Sequence, residues 1–335
     1  MFQNKLVTDQ YWQERIPDFS KIHVPVLSAA NWGGQSLHSR GNFEGFGKIA
    51  STEKWLEVHG LEHWTEFYTN YGVDIQKRFF GYYLKEEKNN WEKEPRVTLQ
   101  VRYPGDKFIE RKENEWPLAR TNWTKLYLTP FGSLATEEKK FDESKVEYDG
   151  FGEGITFLSE PLDAETEITG PMASKLFVSS ETEDADLFLV VRVFTEDLKE
   201  VTFKGALDPN TPVGQGWLRA SHRKLDPEMS KPYRPYYTHD EIQLLQPNKI
   251  YELDVEIWPT SIVIPKNYRI GLTVRGKDYV NQSGGGSTLP NMNKFSGCGP
   301  FLHNDPDDRP MDVFGKKVSL HFSKEQRPFL LLPVI

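Results

Sequence analysis

The stretch KIHVPVLSAANWGG, residues 21–34, decides how the first part of this chain is read. It is an apolar burst ending in two glycines, the profile of a buried strand running into a functional loop. HSRGNFEGFGKIAS (38–51) then reads as a short helix, weakened by Gly41, Gly45 and Gly47. KWLEVHG (54–60) is a second short strand, closed by Gly60. In WTEFYTNYGVDIQKRFFGYYLKEE (64–87), Val73, Ile75, Phe79, Phe80, Tyr83 and Leu84 are spaced as on one amphipathic helix. Strand, helix, strand, helix is the repeat of a parallel sheet with crossover connections. Two strands do not make a stable doubly wound sheet, so this portion is expected to be incomplete, a fragment of a larger sheet.

Further along, KEEKNNWEKEP (85–95) is charged and ends in proline, and it reads as a boundary. From about residue 95 the texture turns to β. RVTLQVRY, KLYLTP, GITFLSEPL, KLFVSS, DLFLVVRVFTE, YELDVEIWP, YRIGLTVRG, KVSLHFS and FLLLPVI are short strand candidates separated by Pro, Gly, Asp and Asn turns. With no convincing helix between them they predict an antiparallel sandwich, specifically a jelly roll. The fold class expected is therefore α/β plus all-β, with an α/β segment over residues 1–94 and the sandwich over 95–335. NQSGGGS (281–287) reads as a mobile loop.

At 335 residues the chain can bury two cores, and its many Trp, Tyr and Phe fit a globular β-rich protein. A net charge of -8 with scattered basic residues argues against a nucleic-acid partner. No apolar run approaches the roughly 18–20 residues that cross a bilayer, so no membrane partner is expected. The opening MFQNKLVTDQYWQERIPDF has no apolar core of a leader, which predicts a cytoplasmic protein. The single cysteine, Cys298 in FSGCGPF, excludes an internal disulfide and multi-cysteine metal sites, and reads as a buried or loop thiol. No cofactor is implied.

The chemistry is concentrated in residues 22–68. In an α/β-hydrolase the chain order is nucleophile, acid, histidine, with the last two on loops after late strands. One strand here ends at Trp32-Gly33-Gly34, and about 29 residues later a second ends near His63. This stretch resembles the cocaine-esterase / X-Pro dipeptidyl-peptidase-like hydrolases (CocE/NonD type). The likeness continues through EPLDAETEITGPMASKLFVSS, ADLFLVVRVF, LRASHRKLDP, LDVEIWPTSIVIPKNYRIGLTVRGKDY and HNDPDDRP. The resemblance implies the C-terminal half of such an enzyme, a partial α/β-hydrolase segment followed by a galactose-binding-like jelly roll. The implied substrates are acyl esters or peptides with proline second from the N-terminus.

Carried over by resemblance, His63 in HGLEH matches the family's GPW[ST]H histidine, the general base, while His59 lies earlier on the strand and reads as structural. The family pattern GW-x-D becomes NWGG, which puts Gly34 where the acid belongs. Glu44, Glu62 and Glu66 are nearby carboxylates, Glu44 being the substitute considered first; a dyad without an acid is the other solution. Trp32 keeps its match and is expected to line the pocket. G-x-S-x-G occurs nowhere, and the look-alike GQSLH around Ser36 lacks the second glycine and follows the acid position. No nucleophile is therefore expected in this chain, and the isolated chain is expected to be inactive. HNDPDDRP offers hard oxygen ligands but no metal-loop spacing, so it reads as a turn stapled by Asp and Arg309, with no metal. RASHRKLDP (219–227) and KPYRPYYTHDE (231–241) read as a Pro-braced connection. A small ester or peptide is the expected substrate once the serine half is supplied. The open sheet edge predicts a dimer or a complementing N-terminal chain. A non-catalytic module for carbohydrate or protein, or one half of a split hydrolase, are the alternatives.

Overall fold

The structure is a computed structural model that describes residues 5–35, 37–61, 64–205, 208–281 and 302–335, and of His63 the backbone. After a one-turn helix α1 (Gln10–Gln13) come β1 (Val26–Asn31), α2 (Ser39–Lys48), β2 (Lys54–His59), α3 (His63–Tyr68) and α4 (Asn70–Lys85). β1 and β2 pair in parallel, from Val26 opposite Lys54 to Asn31 opposite His59. Both faces of this pair are covered. Ala30, Leu56 and Val58 pack with Phe43 and Phe46 of α2, while Trp55 on the other face packs with Phe79 and Trp91. Burial is complete along β2 from Trp55 to His59, whereas in β1 only Ala30 and Asn31 are buried.

The single helix expected over 64–87 is two helices. Thr69 is extended and its hydroxyl accepts from Gly72 N at 3.1 Å, so it ends α3 and caps α4. The break also resets the apolar stripe. Ile75, Phe79 and Tyr83, four apart, turn to the core, whereas Phe80 and Leu84 lie one position round and face outward.

β3 (Val97–Tyr103) extends the parallel sheet, Leu56 opposite Val97, and returns antiparallel as β4 (Lys107–Glu113). The remaining strands are β5 (Asn122–Leu128), β6 (Ser133–Ala135), β7 (Ser144–Asp149), β8 (Ile155–Ser159) and β9 (Thr166–Ser180). They continue as β10 (Asp186–Phe194), β11 (Glu200–Val201), β12 (Gly214–Arg219), β13 (Tyr251–Ile264) and β14 (Arg269–Arg275). A short helix α5 (Met311–Phe314) precedes β15 (Lys317–Phe322) and β16 (Phe329–Val334). Pairing among them is antiparallel except between β6 and β8. The 15-residue β9 is the spine, with β13 on one edge and β15 and β16 on the other. Leu176, Leu189, Val255, Leu272, Leu320 and Leu330 fill the core between the layers.

β12 lies flat against β13 because Gly216 has no side chain: a Cβ there would meet Glu256 O at 2.1 Å. The α/β and β parts are joined by hydrogen bonding, through the parallel pair Ile262–Arg102 between β13 and β3. Arg102 is fully buried at this seam, donating to Ser261 O at 2.9 Å and Val213 O at 3.1 Å, and burial pushes its guanidinium down to about 9.

Candidate active site

Parallel strands present their C-terminal ends, and the loops that follow, on one edge, where ligands of open α/β sheets bind. Here that edge carries the loop after Asn31 and the loop after His59. Trp32 is 2% exposed, stacked on Phe43, with Nε1 donating to Gln100 O at 2.7 Å. The ring is thus part of the core beneath the loop. Gln35 fixes the loop to the β part: its amide donates to Pro212 O at 2.8 Å and its carbonyl accepts from Gln215 at 3.1 Å.

Asn31 is 1% exposed and its Nδ2 donates to Leu61 O at 2.7 Å. A backbone carbonyl only accepts, so the amide nitrogen must face Leu61 and Oδ1 must face away. That oxygen is buried with no hydrogen-bond partner among the described residues. A Cβ placed on Gly34 would come within 2.4 Å of it. The carboxamide of Asn31 thus fills the space into which a side chain at position 34 would grow. A groove of about 680 Å³ runs alongside, between β1 and α2, lined by Val26, Ser28, Asn31, His38, Asn42 and Phe46.

On the neighbouring strand, His59 Nδ1 lies 2.8 Å from Glu57 Oε2, both residues 4% exposed. The second carboxylate oxygen accepts from Tyr71 of α4 at 3.4 Å. Burial pushes the Glu57 carboxyl up against the pull of His59, and burial together with Glu57 raises the Tyr71 phenol. His59 Nε2 is buried and unpartnered among the described residues. The sequence reading missed this acid–histidine pair. Its signal is Glu-x-His on a strand, where residues two apart share a face.

Of the residues singled out from sequence, Ser36, Glu62 and Cys298 lie outside the described residues, as does 282–287 of NQSGGGS. The backbone of His63 begins α3 and its side chain lies outside the described residues. Glu44 sits on α2, 2.8 Å from Arg234 and 3.0 Å from Lys48. Burial would raise its carboxyl, and the surrounding Lys48, Arg40 and Arg234 outweigh that and hold it below the usual range. Glu66 accepts a long 3.4 Å contact from Thr69.

The 303–310 turn is stapled by Arg309, which donates to Asp186, His303 O and Gly276 O. Arg219 bridges Asp186 and Asp308, and the Nδ1 atoms of His222 and His239 are 3.1 Å apart. Among the described residues no group of three or more His, Cys, Asp or Glu is arranged to hold a metal ion. Nor is any described helix long and apolar enough to cross a membrane.

Residues 89–305 match the family described as the X-Pro dipeptidyl-peptidase C-terminal non-catalytic domain. A solved CocE/NonD family hydrolase from Staphylococcus aureus superposes with a TM-score of 0.87 at 30% identity, covering 98% of this chain and 57% of that one. The chain belongs to the family of the X-Pro dipeptidyl-peptidase C-terminal non-catalytic domain. A Mycobacterium bovis protein provisionally named a serine esterase is 31% identical over 155 residues, 44% of this chain and 21% of that protein. An aminopeptidase from a Thaumarchaeota archaeon is similar in fold, with a TM-score of 0.69 at 14% identity, covering 98% of this chain and 58% of that one. The chain therefore spans less than two thirds of the length of each of these relatives.

Proposed function

We propose that this chain is the C-terminal portion of a serine hydrolase acting on acyl esters or X-Pro peptides, whose nucleophile lies on a preceding segment or a complementing chain. One observation carries the reading: nearly all of this chain superposes on only 57% of the S. aureus hydrolase, while G-x-S-x-G is absent from its own 335 residues. The free side of β1 supports it. Among the described residues β1 pairs with β2 alone, and the groove beside it offers backbone and apolar surface to a further strand and helix.

In this reading His63 takes the proton of the incoming serine hydroxyl and returns it to the leaving group, while the serine half brings the oxyanion donors. The β part is a jelly roll that does no chemistry. It caps the active edge through the Pro212 carbonyl and the Gln215 side chain, both bonded to Gln35. In this reading the first unit extends past the division expected near residue 94, because β3 and β4 belong by pairing to its sheet. A fluorophosphonate probe tests the proposal on protein purified from its native host. Labelling is expected on an upstream-encoded segment or a co-purifying chain. Labelling of a serine within these 335 residues overturns it.

A further inference from the structure

The connection between β12 and β13 brings two histidines together. His222 closes the 3₁₀ turn Ala220–His222, and His239 follows 17 residues later. Their Nδ1 atoms are 3.1 Å apart and their ring centroids 5.3 Å, so one nitrogen carries a proton and the other receives it. With one proton between the rings this is a hydrogen bond, whether the pair is neutral or carries a single charge. With a proton on each Nδ1 the two nitrogens are donors of like charge facing each other, and the contact breaks.

The backbone of the pair holds the N-terminal segment. His239 O accepts from Val7 N at 2.8 Å. Leu6 N donates to Asp9 and Gln13 Nε2 to Val7 O, which folds residues 5–13 into one strap, and α1 buries no residue. A second tie, Lys5 with Asp308, spans 3.8 Å. His239 is in the left-handed region at φ 47°, a conformation that a residue other than glycine keeps while its surroundings hold it. Both of its neighbours are pinned: Thr238 N donates to Lys224 O, and Asp240 pairs with Lys224 at 2.9 Å. Between these pins the contact with His222 fixes residue 239 and the direction of the carbonyl that takes Val7.

We propose that His222 and His239 form a proton-operated clasp: sharing one proton they hold the N-terminal strap on the β part, and taking up a second they release it. The surrounding charges favour the single proton. Arg219, Lys5, Asp186 and Asp308 face His222, while Arg40, Asp240 and the ring of Tyr237 face His239. Each of these carboxylates is committed to another cation, Asp186 and Asp308 to Arg219 and Asp240 to Lys224. Burial, then Arg219, holds His222 below the usual histidine range; burial, then His222 and Arg40, pushes His239 down to about 4. The docked pair thus binds fewer protons than the released one. Docking is complete near neutral pH and is lost as pH falls from 6.5 towards 4, by about tenfold for each pH unit in which the released pair holds one proton more.

Amide hydrogen exchange of Val7, read by NMR on the full chain with the buried Leu189 of β10 as internal reference, tests the clasp. The Val7 protection factor should be steady between pH 8 and 7 and fall about tenfold per pH unit below 6, while that of Leu189 holds. His222→Phe and His239→Asn, the latter compatible with the left-handed backbone, should each flatten that fall. Lys5→Met should lower Val7 protection equally at every pH. In ¹⁵N-imidazole spectra at pH 7.5, assigned with the same two histidine variants, one ring of the pair should be the Nδ1–H tautomer. Val7 protection that stays constant relative to Leu189 down to pH 4.5 overturns the clasp, as does a fall that persists in both histidine variants. Both rings in the Nε2–H form overturn it too. The wild-type exchange profile needs no variant, so that arm stands where a substituted chain does not fold.

Discussion

At the scale of single residues, what a sequence pattern conveys is identity and spacing, and what it hides is which atoms compete for one space. That position 34 is a glycine was legible; that the Asn31 carboxamide fills the space a side chain there would take is a matter of 2.4 Å between Asn31 Oδ1 and a Cβ at 34. The Glu57–His59 pair was equally hidden, because a histidine on a strand carries no mark of the carboxylate two residues earlier until the strand is buried. Charged residues that belong to no motif can also be structural. Glu113 is buried at the end of β4, its Oε2 accepting from Arg120 at 2.8 Å and its Oε1 lying 2.7 Å from Arg111. Arg120 first, then Arg111, hold its carboxyl below the ordinary value of 4.5. A carboxylate depressed by folding contributes stability above its unfolded pKa and loses it as pH falls through the folded one. Glu113→Gln should therefore cost about 1–2 kcal/mol at pH 7, the partly exposed Arg120 screening the pair. In urea titrations that gap should close as pH falls from 4.5 towards 3. A gap that persists unchanged at pH 3 would show that Glu113 acts through packing and not charge.

At the scale of elements, strand periodicity was readable and helix boundaries were not. The strands over 26–31, 54–59 and most of those after residue 95 followed from apolar runs between turn residues. β7 (SKVEYD) and β12 (GQGWLR) were missed because one is polar and the other rich in glycine. β12 needs that glycine to approach Glu256 O, a requirement imposed by β13 and not by its own sequence. The helix over 64–87 was read as continuous because the pattern at 73–84 is strong enough to extend backwards past Thr69. The hydroxyl of Thr69 competes for the first orphan amides of α4, and the Glu66 carbonyl sits where a side chain at Gly72 would be. Thr69→Ala removes the cap and should destabilise the chain by about 1 kcal/mol. Thr69→Ser should keep most of it, and thermal unfolding of the two variants side by side separates lost capping from lost methyl packing.

At the scale of the whole molecule, the change of texture near residue 95 was visible, but the way the two parts hold each other was not. Their contacts join residues far apart in sequence, Gln35 with Pro212 and Arg40 with Glu256 among them, and no local pattern encodes such a pairing. α2 docks on the β part mainly through charge. Arg40 Nε lies 3.0 and 2.9 Å from the two oxygens of Glu256 on β13, and one turn further along α2 Glu44 meets Arg234 at 2.8 Å. Glu256 is buried, and burial pushes its carboxyl up while Arg40 pulls it down. Breaking a buried pair from one side strands a charge and costs about 3–5 kcal/mol, whereas replacing both partners by apolar groups of similar size is often close to neutral. Arg40→Met should therefore destabilise by about 3 kcal/mol, because Glu256 must then be protonated or drag water into the seam. Arg40→Met with Glu256→Met should recover most of that loss. The coupling read from a double-mutant cycle in urea should exceed about 1 kcal/mol for residues in direct contact. Additive losses would mean that the parts are held by backbone pairing at Ile262–Arg102 and by packing, with the ion pair a bystander.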